Sequence, residues 1–246
     1  MISVIIPTFN EESSLEALLA DLRAQPVETE VIVADGSSTD ATVAIAARYA
    51  CVVESERRRG RQLNLAARVA RGEILFFLHA DVRLPGNALA ALARAMEEPE
   101  VVGGTFSLEF AGNGWPARIF TGINRWRRRL GIFYGDQGIF VRRAVFERMG
   151  GFREWLLLED YEFARRLVKA GKTVCLEERL RVSSRRWEAG RDGRSRLWRT
   201  LATWFFLMSF YFLGVPPERL ARWYLPIRSS VGPIPPAESA ARRGVR

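Results

Sequence analysis

Val4-Ile5-Ile6-Pro7-Thr8-Phe9-Asn10-Glu11 opens the chain with an apolar run that ends in polar residues. The same change of character recurs twice. Val31–Ala34 leads into Asp35-Gly36-Ser37-Ser38-Thr39-Asp40, and Ile74–Leu78 leads into His79-Ala80-Asp81. Short apolar runs rich in Val and Ile read as buried strands. The polar residues therefore gather where strands leave a sheet, which is the ligand-binding edge of open α/β sheets. Acidic residues at that edge suggest a phosphate ligand held with a metal.

Working outward, the first hundred residues alternate strand and helix. Ile2–Pro7 is a strand, with Pro7 expected to end it because proline cannot donate to a central ladder. Glu12–Arg23 is helical, since Leu15, Leu18, Leu19 and Leu22 recur at three- and four-residue spacing. After the second strand, Asp40 reads as the N-cap of a helix to Tyr49. A short strand at Cys51–Val53, a helix at Gly60–Ala70, the strand Ile74–Leu78 and a helix at Leu89–Met96 follow. This alternation predicts an α/β fold, a parallel sheet covered by helices on both faces. Beyond Pro99 the rhythm changes. Val101–Phe110 is a strand with a bulge at Gly103-Gly104, and Trp115–Leu130 is amphipathic and basic. Gly138–Val141 is a strand, Ala144–Met149 a short helix, Glu159–Ala170 a helix closed by Gly171, and Thr173–Leu176 a strand. Arg196–Leu213 is an apolar helix, and the proline-containing tail after Pro226 reads as loose.

Bulk properties narrow the partners. The chain has 246 residues, 48% of them hydrophobic, and a net charge of +9. Residues 185–246 carry 12 Arg against 4 acids, whereas the preceding 184 residues are nearly balanced. A basic end implies an anionic partner. No basic–aromatic single-strand module is evident, so nucleic acid is not expected. Cys51 and Cys175 stand singly and read as buried thiols in a reducing compartment. No signal-like segment is visible at the N-terminus. Leu201–Val215, at ~1.5 Å per residue, falls short of the ~30 Å hydrocarbon core of a bilayer. These features predict a cytoplasmic protein, with a peripheral location at the inner face of the cell membrane left open.

The ordered motifs resemble those of family-2 glycosyltransferases of the GT-A fold, across roughly residues 1–190. Asp35–Asp40 matches the family's DGSxD-type motif, His79-Ala80-Asp81 stands at its DxD, and Leu158-Glu159-Asp160-Tyr161-Glu162 matches its ED motif. Pro7-Thr8-Phe9-Asn10-Glu11 resembles its opening. Gly135-Asp136-Gln137-Gly138 and Ser184-Arg185-Arg186-Trp187 look more narrowly like a small bacterial subgroup linked to arsenosugar biosynthesis. The resemblance implies a Rossmann-like, mostly parallel sheet over residues 1–190. A helical, aromatic-rich appendage over 191–225 and a loose tail over 226–246 would follow it.

The resemblance also implies site roles, each beside a plainer alternative. Asp35, with Pro7, Thr8, Asn10 and Glu11, would hold the nucleotide, Asp35 accepting from a nucleobase imide; the alternative is a turn before a helix cap. Asp81 would contact the diphosphate and ligate Mg²⁺ or Mn²⁺, with His79, in place of the family's first Asp, either in the metal shell or bonding ribose or phosphate. Asp160 would be the catalytic base and Glu159 would orient the acceptor; alternatively both acids only complement a helix dipole. Arg57, Arg58, Arg59 and Arg61 read as a solvated face, or one of them, with Arg61 in Gly60-Arg61-Gln62-Leu63-Asn64, would reach the donor phosphate; Asp136 and Gln137 would touch acceptor or donor sugar, and Arg185 or Arg186 would stabilise the departing diphosphate. The implied enzyme is an inverting transferase using a nucleoside-diphosphate sugar, a UDP-sugar first among them, and a hydroxyl acceptor that a lipid could carry. Nucleotidyl transfer is a second reading, weakened because no Gly-rich, Lys-bearing loop follows the first strand. A non-enzymatic basic protein binding membrane or nucleic acid is a third. The helix Trp198–Leu213 reads as a core or homodimer element, or as an interfacial one meeting anionic lipid.

Overall fold

A computed structural model of the chain describes residues 1–110, 122, 137–182 and 193–229. The chain divides into two compact units, Met1–Ser184 and Arg185–Arg246. The first unit holds strands β1 (Ile2–Thr8), β2 (Thr29–Asp35), β3 (Cys51–Glu54), β4 (Ile74–Phe77), β5 (Val82–Arg83), β6 (Val101–Phe110), β7 (Ile139–Arg142) and β8 (Lys172–Val182). Its helices are α1 (Glu12–Arg23), α2 (Thr42–Ala46), α3 (Arg59–Val69), α4 (Ala88–Ala95), α5 (Arg143–Arg148) and α6 (Glu159–Ala170). The second unit holds α7 (Gly193–Phe212) and α8 (Pro217–Ser229).

One eight-stranded sheet runs β3-β2-β1-β4-β7-β6-β8-β5. The first four strands are parallel; β7 joins β4 and β6 antiparallel, and β6 and β8 are parallel again. The expected mostly parallel α/β sheet is therefore present, with an antiparallel insertion. Alternating side chains of β1 feed two cores. Ile2, Val4 and Ile6 pack with Leu15, Leu18, Leu19 and Leu89 on one face, and Ile5 packs with Leu63, Ala66, Phe146 and Phe163 on the other. Each fully buried Leu or Phe contributes roughly 1.5–3 kcal/mol relative to exposure, so both helix layers are held by apolar burial.

Several expectations are corrected. Pro7 does not end β1, which continues to Thr8 in register with Asp35. Leu78 N–H donates to Ile5 O, so by the two-residue alternation Pro7 faces the side where β4 pairing has already stopped. Its missing N–H therefore costs no ladder bond. Cys51 is exposed because β3 is an edge strand, and Cys175, on β8, is half-buried, so neither is the fully buried thiol expected. The last strand of the unit reaches Val182, six residues beyond Leu176, with charged Glu177, Glu178, Arg179 and Arg181 along it. A register shift between Phe106 and Ser107 breaks the simple alternation there. The expected irregularity at Gly103 is present: the β6–β8 register shifts between Val101 and Gly103. An added Cβ at Gly104 would lie 2.0 Å from Val174 O, so only glycine permits that strand approach. Finally, α8 runs through Pro226 to Ser229. Trp115–Leu130 (apart from Gly122) and the rest of the tail, residues 230–246, lie outside the described residues. Among the described residues no helix is long and apolar enough to cross a membrane.

Candidate active site at the strand-end cleft

The loops leaving β1 and β2 are joined into one platform. Asp35 is buried, and its carboxylate accepts from Thr8 Oγ1 (2.9 Å), Ser38 N–H (2.7 Å) and Ser38 Oγ (2.6 Å). A carboxylate offers about four acceptor positions, so three internal bonds leave about one for an outside donor. Asn10 N–H donates to Ser38 Oγ, Thr39 N–H donates back to Asn10 Oδ1, and Glu11 N–H donates to Thr42 Oγ1. Asp40 accepts from Thr42 N–H (3.0 Å) and Glu12 N–H (3.2 Å), so one carboxylate serves the first turns of both α2 and α1. These bonds and the charge-stabilising donors hold the Asp40 carboxyl below its ordinary pKa, against the opposing effect of burial. The helix that follows is only Thr42–Ala46, shorter than expected, and its N-cap residue is Ala41, so Asp40 stands one position before the expected cap.

Gln62, on α3, completes the platform. Its Nε2 donates to Thr8 O (2.9 Å) and Ala34 O (2.8 Å), spanning the ends of β1 and β2. A Cβ at Gly36 would meet Gln62 Nε2 at 3.1 Å and Thr8 O at 3.2 Å. Gly36 thus leaves room for this close approach, which a larger residue would tighten. Arg57 lies over the Phe9 ring, 3.6 Å from its centroid.

A cleft opens beside this platform, lined by Pro7, Arg59, Leu63, Phe77, Leu78, His79, Ile139, Phe152 and Asp160. Five elements meet there: the ends of β1 and β4, the starts of α3 and α6, and β7. Asp160 lines the cleft, and Glu159 is buried beside it, 5% exposed. Burial pushes the Glu159 carboxyl up to about 7; the Arg59 charge opposes this and the Asp160 charge adds to it. Asp160 Oδ1 accepts from Tyr161 N–H (2.7 Å). Arg59 Nη1 stands 3.6 Å from Glu159 Oε1 and 3.7 Å from Asp160 Oδ2, and Nη2 bonds His79 Nε2.

Backbone strain marks the same region. Among the described residues, the non-glycine residues with positive φ are Asn10 (54°), Ser37 (66°) and Leu158 (67°). They follow β1, follow β2 and precede α6. Such conformations cost of order 1–3 kcal/mol each and concentrate at functional sites. Uncommitted polar atoms cluster there too. Arg59 Nε and both amide atoms of Gln137 are buried without a hydrogen-bond partner. Gln137 enters β7 two residues before Ile139, the register partner of Phe77 at the end of β4. Native proteins leave few buried polar groups unmatched, so each asks for a reason.

Among the expected site residues, Pro7, His79 and Asp160 share the cleft, Glu159 backs it, and Thr8, Asn10, Glu11 and Asp35 build the adjoining platform. Asp81 is half-buried, two residues beyond His79. Arg61 is exposed and bonds Glu56 (2.9 Å) instead of joining the cleft lining. Asp136, Arg185 and Arg186 lie outside the described residues. Among the described residues no cluster of three or more His, Cys, Asp or Glu side chains forms a metal-ligand group. Sequence does not separate Arg59 and Gln62 from their neighbours in the stretch Arg57–Asn64. The usable signal was their placement at the start of a helix following β3, but four arginines crowd residues 57–61 and only geometry selects among them.

The Glycosyl transferase family 2 model matches residues 3–150. The chain belongs to glycosyl transferase family 2. An uncharacterized Mycobacterium tuberculosis protein is 35% identical over 138 residues, 53% of this chain and 40% of that protein. An undecaprenyl-phosphate 4-deoxy-4-formamido-L-arabinose transferase of Pseudomonas paraeruginosa is 30% identical over 174 residues, 63% of this chain and 50% of that protein. The chain thus spans about half the length of these curated relatives. Among solved structures, the Pyrobaculum calidifontis mannosyltransferase PcManGT, in complex with GDP-Man and Mn²⁺, superposes with TM-score 0.67 at 23% identity, covering 95% of this chain and 76% of that one. S. aureus TarS 1-349 superposes with TM-score 0.63 at 23% identity, covering 74% and 60%. At these identities the likeness establishes the GT-A fold. None of these relatives is described as acting in arsenosugar biosynthesis.

Proposed function

We propose that this family-2 chain is an inverting glycosyltransferase that moves a sugar from a nucleoside-diphosphate donor, a UDP-sugar first among them, to a hydroxyl acceptor. One observation carries the reading: Asp160 and His79 line the same cleft, next to a strained loop platform built on Asp35. In this reading the platform holds the nucleotide and places the anomeric carbon over the cleft. The acceptor oxygen attacks that carbon from the Asp160 side, its proton passes to the Asp160 carboxylate, and the bond to the diphosphate breaks with its electron pair leaving on the diphosphate. A positioned base contributes about 10²–10⁴-fold to such a step. Apolar Leu63, Phe77, Ile139 and Phe152 keep the cleft poor in water, which strengthens its electrostatics.

A divalent cation fits the edge on donor chemistry. Asp81 offers a half-buried hard oxygen, and Mg²⁺ needs only one or two carboxylates when phosphate oxygens complete its shell. When bound, the cation supplies charge neutralisation to the leaving diphosphate. The relative that uses undecaprenyl phosphate supports a lipid-linked acceptor, as do Phe205, Phe206, Phe212 and Leu213 exposed on and just after α7.

The test is product analysis with UDP-, GDP- and dTDP-sugars and Mg²⁺ or Mn²⁺. Glycosyl transfer releases nucleoside diphosphate. Release of pyrophosphate would instead mean nucleotidyl transfer, and no thermal stabilisation by any of the nucleotide sugars would remove the donor assignment. Asp160→Asn is expected to lower turnover by about 10²–10⁴-fold while nucleotide affinity stays unchanged.

A further inference from the structure

Gln137 is fully buried where the chain enters β7, and neither its Oε1 nor its Nε2 has a hydrogen-bond partner among the described residues. Taking an amide out of water without matching it works against folding. Natural chains break such a rule mainly at functional sites, where a bound molecule supplies the match. An amide carries an acceptor and a donor together, so its occupant must offer a donor and an acceptor side by side.

The backbone fixes this residue at the edge of the cleft. Ile139, two residues on, lines the cleft and pairs with Phe77, which lines it too. Between them Gly138 is left-handed, with φ 66°, and a Cβ there would lie 2.9 Å from both Leu180 Cδ1 and Phe76 Cε2. The turn that carries Gln137 is therefore seated against that apolar layer. In sheet order β7 lies beside β4, and β4 beside β1. With neighbouring strands ~4.8 Å apart, the start of β7 lies roughly 10 Å across the sheet edge from the end of β1.

Ligand chemistry narrows the match. Phosphate oxygens only accept and would leave Oε1 unmatched; a cation would engage Oε1 alone and leave Nε2 unmatched. A nucleobase offers both kinds of group, but under the proposed function it lies on the Asp35 platform at β1 and β2, on the other side of β4. A donor laid along this edge, with its base at β1 and β2 and its diphosphate at the end of β4, brings its sugar to β7. Adjacent ring hydroxyls offer a donor and an acceptor at a spacing one amide spans. We infer that Gln137 is a specificity-determining residue for the transferred sugar: Oε1 accepts from one ring hydroxyl and Nε2 donates to its neighbour. The assignment rests on the nucleotide-sugar reading and deepens it by naming the group on the sugar that is read. In the free chain Gln137 backs the cleft wall without lining it, so the contact forms as the donor enters.

Calorimetry on the full-length chain with Mn²⁺ tests this, using UDP, GDP, UDP-glucose, UDP-galactose and GDP-mannose, then the ring-deoxy analogues of the nucleotide sugar that binds. In the wild type two adjacent ring positions should stand out, each deoxy analogue binding about tenfold more weakly than its parent. Gln137→Met should bind the parent nucleotide sugar about tenfold more weakly and cease to distinguish those analogues from it, while its affinity for the bare nucleoside diphosphate stays unchanged. Without ligand the same variant should melt about 2–4 °C higher than the wild type, because two unmatched polar atoms are gone. A lower melting point in both Gln137→Met and Gln137→Leu would mean that the amide is already matched in the free protein, and overturns the assignment. So does a variant that keeps the wild-type preference among the deoxy analogues. If Gln137→Met does not fold, Gln137→Leu and the wild-type analogue series decide, and equal binding of every deoxy analogue by the wild type overturns the assignment. Nucleotide-sugar binding with no dependence on Gln137 removes this assignment alone, whereas no binding of any nucleotide or nucleotide sugar removes the donor reading and this assignment with it.

Discussion

Glu159 is the residue whose chemistry depends most on its surroundings. Exposed, it would be an ordinary carboxylate; buried beside Asp160, it is pushed up to about 7. A group bound more tightly to its proton in the folded state stabilises the fold fully below its unfolded value of 4.5, and that contribution is lost as pH rises towards 7. At ~1.4 kcal/mol per pKa unit the total is of order 3 kcal/mol. Melting curves of the wild type should therefore fall across this window, and Glu159→Gln, a neutral isostere, should remove that part of the slope. Equal slopes in the two proteins would exclude the buried acid as its source. The acid pair itself was legible in sequence as a motif. Which acid is buried and which faces the cleft was not, because both readings satisfy a helix first turn equally well.

Among the elements, α3 connects the most parts of the site. Gln62 pins β1 to β2, Asn64 grips Phe152, and Arg59 faces the acids of α6. Asn64→Ala removes two hydrogen bonds and leaves the Phe152 backbone groups unmatched, at a cost of about 1–3 kcal/mol. Thermal or urea unfolding checks this, and an unchanged midpoint would mean the 152–160 segment is held elsewhere. From sequence, α3 was readable as a helix by the spacing of Leu63, Ala66 and Ala67. Its polar face was not readable. Four arginines in five residues look like a solvated surface, and periodicity says nothing about which of them another segment, a hundred residues later, will meet.

At the scale of the whole molecule, the excess positive charge and most of the exposed aromatics among the described residues fall in the second unit, while the sheet and the cleft fall in the first. On and beside α7, Phe205 is 71% exposed and Leu213 78%, and α8 adds exposed Arg219, Arg222 and Trp223. Basic residues near an anionic surface contribute ~1 kcal/mol each. The full chain should therefore sediment with phosphatidylglycerol vesicles more than with phosphatidylcholine ones. Salt should weaken that binding, as should Phe205→Ser with Phe206→Ser; equal sedimentation with both lipids would remove the lipid proposal. Sequence by itself determined the α/β alternation, the two apolar faces of β1 and the order of the motifs, because strand and helix periodicities are local and repeat over few residues. Only tertiary structure decided that β7 enters antiparallel beside β4, that Arg59 rather than Arg61 joins the cleft, and that Cys51 lies on an edge. Those outcomes depend on which distant strands pair, and contacts between residues 59, 79 and 160 leave no trace in the spacing of any one segment.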